Sequence, residues 1–201
     1  MPVPDAELPP LEPGVIRSRF VMGQSVGDYT LDTCLAHGNV MEVWRAHRAD
    51  DPQRRWVALK LSLKPETESH QLKRTARARE ILARLSHPNI VRLFDAGIEN
   101  EHAFFALEWI DGVTLRNYCQ SKRLNLRERV TLFSQVVNAV QYAHSHLLVH
   151  GELRLTNILV TDEGVVKLID FGLGIPADLS ARANNESDNP AYASPERVRN
   201  E

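Results

Sequence analysis

The chain has 201 residues, 43% apolar and 25% charged, enough for one good core or two small lobes and unlike a disordered chain. Its 24 Lys and Arg against 26 Asp and Glu leave no global charge to draw it to nucleic acid or a membrane surface. Two cysteines, Cys34 and Cys119, make no disulfide framework and fit a reducing compartment. No apolar run reaches membrane-spanning length, and the acidic, proline-rich start "MPVPDAELPP" reads as no export signal, so the expected location is the cytoplasm.

Five of the eleven prolines fall within residues 1–13, so residues 1–28 read as an extended tail. From Tyr29 the pattern changes. "YTLDTCLA" and "VMEVWRAHR" read as strands joined by a turn at His37-Gly38-Asn39, and "RWVALKLSL" as a third strand. Residues 66–85 read as a helix, with its Lys73, Arg74, Arg77, Arg79 and Arg84 as a solvated face rather than a nucleic-acid stripe. "NIVRLFDAGI" and "HAFFALEWI" follow as strands with a turn at Glu99-Asn100.

Beyond Gly112 the character turns helical. "TLRNYCQSK" reads as a short helix and "LRERVTLFSQVVNAVQYAHSHLL" as a long one. The long helix is apolar at 130, 133, 136, 137, 140, 143 and 147, an arc wide enough to want packing on two sides. "NILVTD-EG-VVKLIDF" reads as a hairpin, and 174–193 as a long loop. His144, His146 and His150 are close enough to raise a metal site, with core packing as the plainer reading. A strand-rich half and a helix-rich half put a site where they meet.

Five marks occur in order: "VALK" at 57–60, "HPNIV" at 87–91, "HGELRLTN" at 150–157, "DFG" at 170–172 and "SPE" at 194–196. On these marks the chain resembles the protein-kinase family over residues 29 to about 200. The resemblance implies an α+β, two-lobed fold: a strand-rich N-lobe over 29–108 and an incomplete helical C-lobe over 109–201. It also implies ATP and magnesium as cofactors and a protein as substrate or binding partner. Lys60 would reach the phosphates, with Asn157 and Asp170 holding the metal. Leu35, Val43, Ala58, Leu107 and Leu159 would enclose adenine, with the backbone from Glu108 to Ile110 at the base's edge. Without the surrounding motifs, those apolar residues would read as ordinary core.

The chain also departs from that pattern. Ala36 and Met41 stand for the outer glycines of the phosphate-covering loop, and Gly38 alone remains. The family's glutamate partner for the strand lysine maps by motif offset to Ala78, with Glu80 turned about 200° from that position, so Lys60 is expected to lack it. In the catalytic motif Gly151 takes the arginine position and Glu152 that of the aspartate base. The longer side chain reaches about 1.5 Å further. Arg154 stands for the lysine beside the transferring group, and Asn189 for a threonine. Ser180 and Ser187 could be modified, without an evident docking cation.

Four functions fit these residues. The first is a Ser/Thr protein kinase-like domain that binds ATP at best and transfers phosphate poorly. The second is an active kinase with Glu152 as base, and the third a phosphotransferase of the aminoglycoside or choline type. The fourth is a non-functional remnant. A further expectation is another chain covering the apolar face of the long helix.

Overall fold

A computed structural model describes residues 18–38, 40–63, 65, 85–171 and 192. The helix expected over 66–85 except Leu85, with Ala78 and Glu80, the loop expected over 174–193 except Tyr192, with Ser180, Ser187 and Asn189, and Asn39, Gly172 and the "SPE" motif lie outside those residues, as does the proline-rich segment at 1–13.

The first half forms an antiparallel sheet of six strands. These are β1 (Ser25–Val26), β2 (Tyr29–His37), β3 (Met41–Arg48), β4 (Trp56–Ser62), β5 (Leu93–Glu99) and β6 (His102–Glu108), in the spatial order β1-β2-β3-β4-β6-β5. Residue alternation drives it: Val57, Leu59 and Leu61 are buried, whereas Ala58 and Lys60 between them are half-buried on the other face. The sequence placed strand five from Asn89, but the ladder begins at Leu93. Pro88 donates no ladder bond, and Ile90 instead makes an isolated parallel bridge to Leu168. The turn after this strand lies at Asn100-Glu101, both at positive φ, one residue later than expected.

Residues 18–26, inside the span read as tail, are held to this sheet, with Ser25–Val26 as its edge strand and Gly23 and Gln24 hydrogen-bonded to Leu31. Phe20 and Val26 join Tyr29, Trp44, Leu59 and Phe104 in a core on one sheet face.

The second half contains β7 (Gly112–Thr114), α1 (Leu115–Ser121), α2 (Leu126–Ser145), a single 3-10 turn (Leu155–Asn157), β8 (Ile158–Thr161) and β9 (Val166–Leu168). β7, β8 and β9 form a small antiparallel sheet. α2 starts at a capping box in which Asn125 accepts from the Glu128 amide and Glu128 accepts from the Asn125 amide. It buries Leu132, Val136, Ala139 and Ala143. Of the arc read from the sequence, Val136 and Ala143 are buried and Val140 packs against the core, whereas Val130, Phe133 and Val137 are exposed.

Candidate functional site

The β4 register sets the first half of the site. Lys60 lies opposite Val43 on β3 and Phe105 on β6, and Ala58 lies opposite Arg45 and Leu107. Directly opposed residues share a face, so Val43, Ala58, Lys60 and Leu107 line one side of the sheet. At the tip of the β2–β3 hairpin, Gly38 N donates to Met41 O at 3.0 Å, and a Cβ on Gly38 would press on that same oxygen. This surviving glycine sits where the backbone is tightest. Leu35, two residues before the end of β2, is 47% exposed. Ile110 packs against the main core between β6 and β7. Leu159 lies on β8 opposite Thr114 and Lys167, half-buried.

The second half of the site is a loop laced to the strand beside it. Ile169 N donates to Asn157 O at 3.0 Å, and Asn157 Nδ2 donates to Glu152 O at 2.9 Å. Glu152 N donates to His150 Nδ1, which makes Nε2 the protonated nitrogen of the neutral ring, and Nε2 donates to Ile169 O at 3.0 Å. His150 is buried and its ring lies against Phe171, centroids 4.4 Å apart. Burial pushes its pKa below the ordinary histidine value. His150 is therefore a core residue. Among the described residues no three His, Cys, Asp or Glu side chains group for a metal.

Lys60 Nζ and Asp170 Oδ1 are 2.5 Å apart, joining the six-stranded sheet to the end of the hairpin. Both are mostly buried, so this ion pair is little screened. Asp170 has φ +68, a left-handed conformation costly for a residue with a side chain and characteristic of functional positions. Arg154 Nη2 lies 3.7 Å from Glu152 Oε2, a long contact between half-buried groups. Of the predicted set, then, Lys60 meets Asp170, and Glu152 meets both Asn157 and Arg154. Leu35 stands apart at an exposed tip.

The protein kinase domain family matches residues 29–201. The chain belongs to the protein kinase family. A probable serine/threonine-protein kinase of Clostridium perfringens is 30% identical over 89% of the chain and 27% of its own length. CBL-interacting protein kinase 19 of rice is 33% identical over 87% of the chain and 35% of its own length. The chain thus spans about a quarter to a third of these curated relatives. Among solved structures, a PknI kinase domain of Mycobacterium tuberculosis superposes with a TM-score of 0.67 at 25% identity, covering 79% of this chain and 65% of that one. A PknI double mutant gives 0.69, covering 84% and 70%.

Within this kinase-family fold, the "HPNIV" residues lock the strand leading to Asp170. Asn89 Nδ2 donates to Val166 O at 2.8 Å and to Gln135 Oε1, Leu168 N donates to Asn89 O, and Val91 N donates to Leu168 O. Gln135 also accepts from Val166 N and donates to Gly164 O, tying α2 to the hairpin. It escaped the sequence reading because a polar residue on an amphipathic helix looks solvated. Glu108 carries an ion pair to Lys167 at 2.7 Å, and its N–H is engaged by Arg92 O. Glu42 was likewise missed, although its place two residues before Trp44 and four before Ala46 in an alternating strand is a signal: a carboxylate in a buried register. No helix among the described residues is long and apolar enough to cross a membrane.

Proposed function

We propose that the chain is a serine/threonine protein-kinase domain that binds Mg·ATP, transfers phosphate poorly and acts chiefly through its surface. The observation carrying this reading is the Lys60–Asp170 contact beside Asn157. The donor set fits magnesium, which prefers carboxylate and carbonyl oxygen. Asp170 offers the carboxylate. Asn157 offers Oδ1, because its Nδ2 is engaged with Glu152 O. When bound, Mg·ATP would supply the phosphoryl group and the negative charge that Lys60 offsets. Val43, Ala58 and Leu107, on one sheet face with Leu159 across from them, would take the adenine, and Leu35 would close over it from the hairpin. Since the Glu108 N–H is engaged, the base's edge falls to its carbonyl and to Ile110.

Poor transfer follows from Glu152. Its amide and carbonyl are pinned to His150 and Asn157, so the extra methylene moves the carboxylate rather than the backbone. An overshoot near 1 Å can cost on the order of a hundredfold. Arg154, in place beside it, draws the carboxylate sideways and would still meet the transferring phosphoryl. A surface role draws support from Leu126, Val130, Phe133 and Val137, an exposed apolar stripe on α2 suited to packing by further polypeptide.

The test uses the full 201 residues. A Mg·ATP-dependent rise in Tm with little radiolabel transfer to a generic protein supports the reading. Robust transfer abolished by Glu152→Ala selects an active kinase instead, and no rise in a folded sample removes the nucleotide site. Transfer to aminoglycosides or amino alcohols would select the small-molecule class, against which the protein-kinase relatives weigh.

A further inference from the structure

Glu42 has no solvent exposure, yet it stands on the strand that leaves the turn over the expected nucleotide site. Along β3, Met41, Val43 and Arg45 are half-buried, while Glu42, Trp44 and Ala46 are buried. Alternation therefore points Glu42 away from the face bearing Val43 and Lys60, toward the core that contains Phe20 and Trp44. A carboxylate buried there is stable only with partners. Two side chains hydrogen-bond one of its oxygens, and a third lies close to the other, which has no hydrogen bond of its own among the described residues. Trp44 Nε1 donates to Oε2 at 2.7 Å, Ser18 Oγ donates to the same oxygen at 2.9 Å, and His37 Nδ1 lies 2.6 Å from Oε1.

Those partners come from three places. His37 is the residue directly opposite Glu42 in the hairpin and ends β2 just before Gly38. Trp44 anchors the base of the hairpin in the core. Ser18 belongs to the N-terminal segment, which is held in place by Phe20, edge-on to His102 with ring centroids 5.6 Å apart, and by Gly23 N donating to Leu31 O at 2.8 Å. The hairpin needs such support. Its ladder slips between Leu31 and Thr33 and again between Cys34 and Ala36.

We propose that Glu42 is a positioning residue for nucleotide binding. With Ser18, His37 and Trp44 it clamps the outer face of the hairpin where β2 ends at His37 and β3 begins at Met41, and fixes its height over the cleft, where Ala36 and Met41 stand in place of two loop glycines. The N-terminal segment is thereby part of the nucleotide-binding machinery although it touches no nucleotide. This rests on the Mg·ATP reading above.

The full chain tests it through two readouts: Mg·ATP affinity by calorimetry, and hydrogen–deuterium exchange of residues 35–43 without nucleotide. Ser18→Ala and His37→Ala sit outside the core and leave folding intact. Each should weaken Mg·ATP by about threefold to tenfold, the worth of one hydrogen bond for Ser18 and of one close polar contact for His37, and speed exchange at the tip but not in α2. Glu42→Ala should do more, and Glu42→Gln should recover most of the loss, since an amide oxygen still accepts from Trp44 and Ser18. Unchanged affinity and exchange in Ser18→Ala and His37→Ala overturn the clamp, as does a Glu42→Gln variant no better than Glu42→Ala. If the wild type binds no Mg·ATP, the nucleotide reading fails, and exchange at 35–43 alone supports or overturns the clamp.

Discussion

Glu152→Asp is expected to raise phosphoryl transfer. The residue's backbone is fixed on both sides: its N–H donates to His150 Nδ1 at 3.3 Å and its carbonyl accepts from Asn157 Nδ2 at 2.9 Å. Removing one methylene therefore withdraws the carboxylate by about 1.5 Å without moving the loop. It also lengthens the 3.7 Å contact with Arg154, freeing the carboxylate to face an incoming hydroxyl. A general base contributes about 10² to 10⁴ in rate, and a misplacement near 1 Å can remove on the order of a hundredfold. The gain expected from the shorter side chain is thus about tenfold to a hundredfold in kcat. Mg·ATP affinity should stay put, since Lys60, Asn157 and Asp170 are untouched. The assay is radiolabel transfer from ATP to a generic protein, run beside calorimetric titration of Mg·ATP. A wild type that turns over briskly and slows on Glu152→Asp would refute the overshoot.

Three further outcomes are expected. Leu147 sits at φ +59 and is 96% exposed, as the left-handed residue of a Schellman turn in which Leu148 N donates to Ala143 O and Leu147 N to His144 O. Leu147→Gly should raise stability by about 0.5–1 kcal/mol, a Tm gain of about 1–4 °C, because strain is relieved and no packing is lost; a lower Tm refutes it. Asp170→Ala should abolish the Mg·ATP-dependent rise in Tm while the chain stays folded, and a retained rise would remove Asp170 from the metal site. His150 and His87 both have pKa values pushed down by burial, so the unfolded chain takes protons first as pH falls. Their contribution is complete above the ordinary value of about 6.5 and is lost as pH drops below it. Tm should therefore decline on the acid side between pH 7 and 5, with a shallower slope in His150→Gln; equal slopes would show that His150 is not among the groups responsible.

Legibility in the sequence followed physical scale. Strands β2, β3 and β4 were readable because period-two alternation is a local property, and burial along β3 and from Val57 to Leu61 repeats it, whereas β6 was readable as a continuous apolar run that the structure buries on both faces. α2 was readable from the helical spacing of its apolar residues, whereas the capping box of Asn125 and Glu128 that starts it is a finding of the structure. What alternation cannot register is pairing at long range. β1 and β7 have two and three residues, too few to show a period, and they exist because β2 and β8 offer an edge. The wide apolar arc of α2 was legible too, but which part of it meets the sheet depends on partners elsewhere in the chain.

At the site, the motif spacing named residues of which the fold brings Lys60 to Asp170 and Glu152 to Asn157 and Arg154, whereas the bonds that hold them could not be read. Asn157 was expected as a metal ligand, and its amide nitrogen turns out to brace the very loop that carries Glu152. The same amide thus does two things, and they are coupled. Whatever turns Asn157 also moves the Glu152 carbonyl, while Ile169 N bound to Asn157 O transmits the shift toward Asp170. On the proposed function, the metal ligands and the base would therefore be one mechanical unit. A chain that exchanged aspartate for glutamate at 152 without disturbing this lacing would keep the nucleotide contacts and lose the proton transfer, and binding and turnover would separate at a single methylene.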